Sequence, residues 1–170
     1  MSDFQINIGR RRLAKHKQKD KSESLKAMAE VREIGVVYNV NKTSIQLLNK
    51  VVHHFEAEGK DVITLGFLEE KELGDLMPTY KEEYYCKKDI NLWKLPKKES
   101  MSRFLSKDFD FLINLDMEGR NELQGVSTYS ASKTRIGKHF KAYPFAQDFM
   151  IKSLADTAEE LFNDLKKYIK

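Results

Sequence analysis

One cysteine, three prolines and one tryptophan in 170 residues exclude several classes before any motif is considered. With Cys86 alone, an intrachain disulfide and a thiolate metal cluster are both impossible, and a reducing compartment is the simplest expectation. No apolar run approaches the roughly 20 residues that a membrane span requires. The basic N-terminal residues are not followed by the apolar stretch of a secretory signal. There is no internal repeat and, apart from one basic segment, no low-complexity linker. A soluble, cytoplasmic protein without a cofactor is the expectation.

Catalytic signatures are scarce as well. No His-x-x-x-His pair occurs, and the adjacent His53 and His54 project about 100° apart on a helix, so they cannot chelate one ion together. The serines from Ser127 to Ser132 do not sit in a Gly-x-Ser-x-Gly elbow. Asn39, Asn41, Lys42 and Thr43 follow a β-rich run and open a helix. A phosphate loop needs glycine before the lysine, where this chain has Asn41. Bare amides at such a helix start still offer an anion a place.

What the chain does have is charge concentrated in one place. Residues 10–21 hold seven lysines and arginines against Asp20 alone, a local charge of +6. The whole chain is +4, which leaves the other 158 residues at −2. Hydrophobic residues make up 41% and aromatics 11%, enough for a globular body. We therefore expect a basic N-terminal arm and helix over residues 1–33, and one α/β domain over 34–170.

Periodicity supports that division. Leu25, Met28, Ala29 and Arg32 have helical spacing, which predicts a helix from Ser22 to Glu33. Ile34 to Tyr38 reads as a buried strand and Ser44 to Glu58 as a helix capped by Asn41 or Thr43 and closed by Gly59. Val62 to Phe67 reads as a second strand. A short helical turn is expected within Glu69 to Met77, short strands at Tyr84 to Cys86 and Ile90 to Trp93, and a helix over Lys98 to Ser106. Phe109 to Leu115 is the clearest buried strand. A weak helix (Asn121 to Tyr129), strands at Thr134 to Gly137 and Phe149 to Ile151, and a final helix (Asp156 to Ile169) complete the pattern. Strands alternating with helices imply a three-layer, Rossmann-like α/β sandwich with a mostly parallel central sheet, its last strand antiparallel at an edge.

Two clusters carry the functional expectations. Asp116, Glu118 and Arg120 follow the central strand, where open α/β sheets place ligands, and with Asn39, Asn41, Lys42 and Thr43 they define a candidate small-ligand site. The bland reading is that Asp116 caps a helix. The other cluster is cationic: Arg10, Arg11, Arg12, Lys15, Lys17, Lys19 and Lys21 in the arm, and Lys133, Arg135, Lys138 and Lys141 around a late strand. Together they would form one positive surface for phosphates. Aromatics are not interleaved with the arm cations in the sequence, so base stacking is not expected from it.

Ile34-Gly35-Val36-Val37-Tyr38, Phe109 to Asp116, Thr134-Arg135-Ile136-Gly137 and Asp148-Phe149-Met150-Ile151 occur in that order before an amphipathic C-terminal helix. In this the chain resembles a family of uncharacterised Rossmann-like proteins, a domain of unknown function seen mainly in Bacteroidota, which implies a fold and no reaction. From Phe109 to Gly137 it is also faintly similar to the N-terminal half of heptosyltransferase-type glycosyltransferases. Those enzymes work between two such halves, and this chain has length for one. The leading expectation is a non-enzymatic RNA- or ribosome-associated protein. The alternatives are a nucleotide- or nucleotide-sugar-binding domain, such as a degenerate transferase half, and a module that binds a protein or an anionic membrane surface.

Overall fold

Successive residues of the central strands are buried almost without a break, facing opposite layers in turn. The computed structural model describes residues 2–16 and 24–170. Six strands form one sheet: β1 (Glu33–Asn39), β2 (Asp61–Leu68), β3 (Glu82–Cys86), β4 (Phe111–Asn114), β5 (Thr134–Lys138) and β6 (Phe149–Ile151). Their order is β3-β2-β1-β4-β5-β6 and every pairing is parallel. Ile34, Val36 and Tyr38 of β1 point to one face, where they meet Leu48, Val51 and Phe55 of helix α2 (Ile45–Ala57) and Leu161, Phe162 and Leu165 of α5 (Ala158–Leu165). Val37, Leu65 and Leu112 point the other way, onto Phe104 of α3 (Ser102–Ser106) and Leu123 and Val126 of α4 (Asn121–Tyr129). Residues buried on both faces in this way are what a parallel sheet requires.

The expected α/β sandwich is present, with local corrections. The last strand, β6, is parallel to β5 and not antiparallel. Ser44, not Asn41 or Thr43, caps α2, its Oγ accepting from the Leu47 amide at 3.1 Å. Gly59 closes that helix at φ 76°, a conformation that suits glycine. Ile90 to Trp93 is a tight turn with one bridge, Ile90 to Pro96, and no helix forms between Glu69 and Met77. A 3-10 turn (Lys98–Met101) leads into α3, where a single helix was expected.

The largest difference lies at the N-terminus. The expected helix at Ser22 to Glu33 is, over its described part, only a 3-10 turn (Met28–Glu30), pinned where the Met28 amide donates to the Lys170 carbonyl. Of the expected stripe, Leu25 and Met28 still reach the α2/α5 core, joined by Val31, while Ala29 and Arg32 are exposed. The real helix is α1 (Asp3–Lys15), within what the charge pattern marked as an arm. It packs across α4, with Leu13 fully buried among Leu95, Tyr143 and Ala146. Among the described residues no helix is long and apolar enough to cross a membrane.

Candidate functional site

The strand order reverses direction between β1 and β4, the position at which parallel α/β sheets open a crevice beyond their carboxyl ends. The loops after these strands bring the expected residues together. Asn39 Oδ1 accepts from the Asn41 amide, and Asn41 Oδ1 accepts from the Glu69 amide, each at 2.9 Å. Lys42 Nζ lies 3.8 Å from the Glu118 carboxylate. Thr43 is buried beside them.

Asp116 is buried, and its carboxylate accepts from the amides of Arg120 (2.8 Å), Glu118 (3.0 Å) and Gly119 (3.2 Å) and from Gln124 Nε2 (2.8 Å). Burial pushes its pKa up, and those donors only partly offset it. This carboxylate folds the loop that starts α4. Arg120 lies over the Phe67 ring, 5.5 Å from its centroid, and its guanidinium bonds both Glu69 and Glu122. Burial works against that cation, but the two carboxylates outweigh it and hold its pKa above the usual arginine value. The charges of the crevice are thus answered from within: Lys42 by Glu118, Arg120 by two glutamates, Asp116 by amides. Glu69, the residue that closes it, has no distinguishing signal in the sequence. It arrives from the loop after β2.

The second basic cluster does not form one surface. Lys133 precedes β5 and pairs with Asp110 (3.0 Å) and Asp108 (3.7 Å) at the amino end of the sheet. Lys138 lies at the other end of the same strand, about 16 Å away at strand rise, and bonds the Ala155 carbonyl. Lys141 is exposed in the loop beyond. Arg135 is only 1% exposed and is committed to Asp148 through Nη2 (3.0 Å), Nε (3.2 Å) and its own amide (2.8 Å). It holds the β5–β6 connection and cannot meet a polyanion. Cys86 is also structural: its thiol is buried against the Lys71 carbonyl, and burial raises its pKa.

The arm cations are distributed by the geometry of α1. Leu13 faces inward, and each residue turns the direction by about 100°. Arg10 falls on the side facing Tyr143, its guanidinium carbon 5.2 Å from that ring centroid. Arg11 and Lys15, four apart, share the outward direction. Arg12 and His16 share the remaining flank. Arg12 lies 5.0 Å over the Trp93 ring, and His16 packs edge-on to Tyr129 at 4.9 Å. Lys98 Nζ sits over the same Tyr129 ring at 4.5 Å. Burial and the Lys98 charge lower the pKa of His16. Lys17, Lys19 and Lys21 lie outside the described residues. Lys98, Trp93 and Tyr129 went unnoticed in the sequence because they are 80 to 115 positions away from the arm they join.

Fold and site together define a single Rossmann-like α/β domain whose switch-point crevice is closed by its own ion pairs, with a cationic helix packed on one face. Residues 5–170 match the model of the family of unknown function DUF6913, and the chain belongs to that family. Neither a curated protein nor a solved structure matches it.

Proposed function

We propose that this protein is a non-enzymatic RNA-associated factor, of the kind that rides on a ribosome, and that it grips phosphates through α1 and the basic segment after it. One observation carries the reading. Arg11, Arg12 and Lys15 project from α1 with no carboxylate paired to them among the described residues. Lys26, Lys42, Lys50, Lys81, Lys107, Arg103, Arg120 and Arg135 each have one, whereas scattered lysines such as Lys60, Lys94 and Lys141 do not; what sets α1 apart is that three such cations stand together on one helix that runs into the basic segment. A rigid helix presenting unneutralised cations suits a polyanion, since each phosphate contact releases condensed counterions.

Two measurements test this. In gradient sedimentation of lysate, the protein should travel with ribonucleoprotein and return to the light fractions after nuclease treatment. The triple substitution Arg11→Gln, Arg12→Gln, Lys15→Gln should weaken RNA binding whatever the sequence. It should also flatten the log–log salt slope by about 2, at roughly 0.7 per lost contact on a single strand. An unchanged slope, or flotation with anionic vesicles in place of sedimentation with RNA, overturns the proposal.

A further inference from the structure

Trp93 is the single tryptophan of the chain, and it lies half-buried on the flank of α1 next to the unpaired cations. The turn that carries it is rigid. Asn91 Oδ1 accepts from the amides of Trp93 (2.9 Å) and Leu95 (3.1 Å), and Lys94 takes a left-handed φ of 62° to close the loop. Asn121 Nδ2 then donates to the Trp93 carbonyl at 3.2 Å and to the Ile6 carbonyl at 2.9 Å, tying this turn to α1 and α4. Within one patch, Arg12 covers Trp93, while Lys98 and His16 flank Tyr129.

From this juxtaposition we infer that the polyanion is a single strand, and that an unpaired base stacks on Trp93 while Arg12, Lys15 and Lys98 take the neighbouring phosphates. The inference rests on the RNA-binding reading above and deepens it. Aromatic rings beside a cationic track are how proteins hold single strands without sequence preference, because every base has a π-face. A duplex offers phosphates but no free base face at its flank, so it would use the cations and leave the rings idle. Arg12 is able to exchange its place over the indole for a phosphate, since a guanidinium bonds phosphate oxygens in bidentate fashion.

The sole tryptophan makes the test direct. The full-length protein is titrated with an oligouridylate and with an oligouridylate–oligoadenylate duplex at one salt concentration. Binding is followed by anisotropy of the labelled strand and stacking by Trp93 emission. The single strand should quench Trp93 to saturation and bind more tightly than the duplex. Trp93→Leu, which keeps apolar bulk in the turn, should weaken single-strand binding by about tenfold or more and abolish the preference over duplex. A Trp93→Leu chain that unfolds at the wild-type temperature shows that the loss is local. Anisotropy changes with no change in Trp93 emission, or a duplex bound as well as the strand, would overturn stacking and leave phosphate gripping intact. Failure to bind either polynucleotide would sink the underlying reading as well.

Discussion

Gly9→Ala should unlatch α1, although alanine is the better helix former. A Cβ on Gly9 would fall inside the van der Waals envelope of the Trp93 carbonyl oxygen and within 2.5 Å of Asn121 Nδ2. Neither neighbour can yield: one is backbone, and the other is held by two carbonyls and by the Tyr143 hydroxyl at 2.5 Å. Alanine gains about 1 kcal/mol of intrinsic helix stability over glycine. Against that stands the burial of Leu13, about 1.5–3 kcal/mol, together with Asn121 hydrogen bonds of about 1 kcal/mol each. The balance is a loss of about 2.5–4 kcal/mol, which at this chain length lowers the unfolding midpoint by roughly 5–16 °C. Calorimetry measures the midpoint, and Trp93 emission, shifted to the red as its turn opens to water, reports the site of the damage. Leu13→Ala alone should cost about 2–5 kcal/mol. If both changes release the same helix, the double variant should be little worse than Leu13→Ala by itself. A Gly9→Ala protein as stable as wild type would refute the claim that glycine is there for close approach.

Two further predictions concern buried charge. Asp148→Ala leaves the Arg135 guanidinium buried without its carboxylate and should destabilise the fold by about 3–5 kcal/mol in denaturant titration. Asp110 is a different case: burial alone would raise its pKa, but the Arg32 and Glu33 amides and the Lys133 and Lys26 ammoniums outweigh that and hold it well below the usual carboxylate range. A depressed pKa gives stability that is complete above the unfolded-state value near 4 and disappears as pH falls toward the folded value. Asp110→Asn should therefore be less stable than wild type at neutral pH, with the gap closing below about pH 4; parallel acid denaturation curves would contradict this.

How much of this was legible in the sequence depends on where each signal lives. Phe109 to Leu115 is apolar on both faces, so a central strand was readable from local pattern alone, as was α2 with its stripe of Leu48, Val51 and Phe55. The convergence of Asn41 and Lys42 with Asp116, Glu118 and Arg120 followed from strand order, because parallel topology brings the loops after β1 and β4 to the same edge. That Glu69 would neutralise Arg120 did not follow, since it depends on a loop conformation. The direction of β6 was obscured because no helix lies between β5 and β6, and a parallel crossover normally contains one. Residues 139–148 instead run as a loop that tucks Tyr143 and Ala146 under α1.

Helix α4 shows why α1 packs on the body although its charge marks it as part of an arm. Every residue from Asn121 to Thr128 is buried, although five of the eight are polar. Such a sequence looks like a weak surface helix. It is covered on the sheet side by Val37 and Leu112 and on the outside by α1, with Pro96 pressed against Gly125. Its polar groups are answered in place. Gln124 bonds Asp116, Ser127 bonds Asn114 and Gln147, the Thr128 hydroxyl bonds the Gln124 carbonyl, and Glu122 bonds Arg120. Removing residues 1–16 would therefore strip the outer layer from a helix already committed to a dry environment, leaving Leu95, Tyr143 and Ala146 uncovered. Deleting the arm is accordingly the wrong way to ask what its charges do, because the body would lose stability together with them. Charge-removing substitutions separate the two questions: Arg11 and Lys15 face outward, and Arg12 lies over the Trp93 ring and outside the buried Leu13 contact.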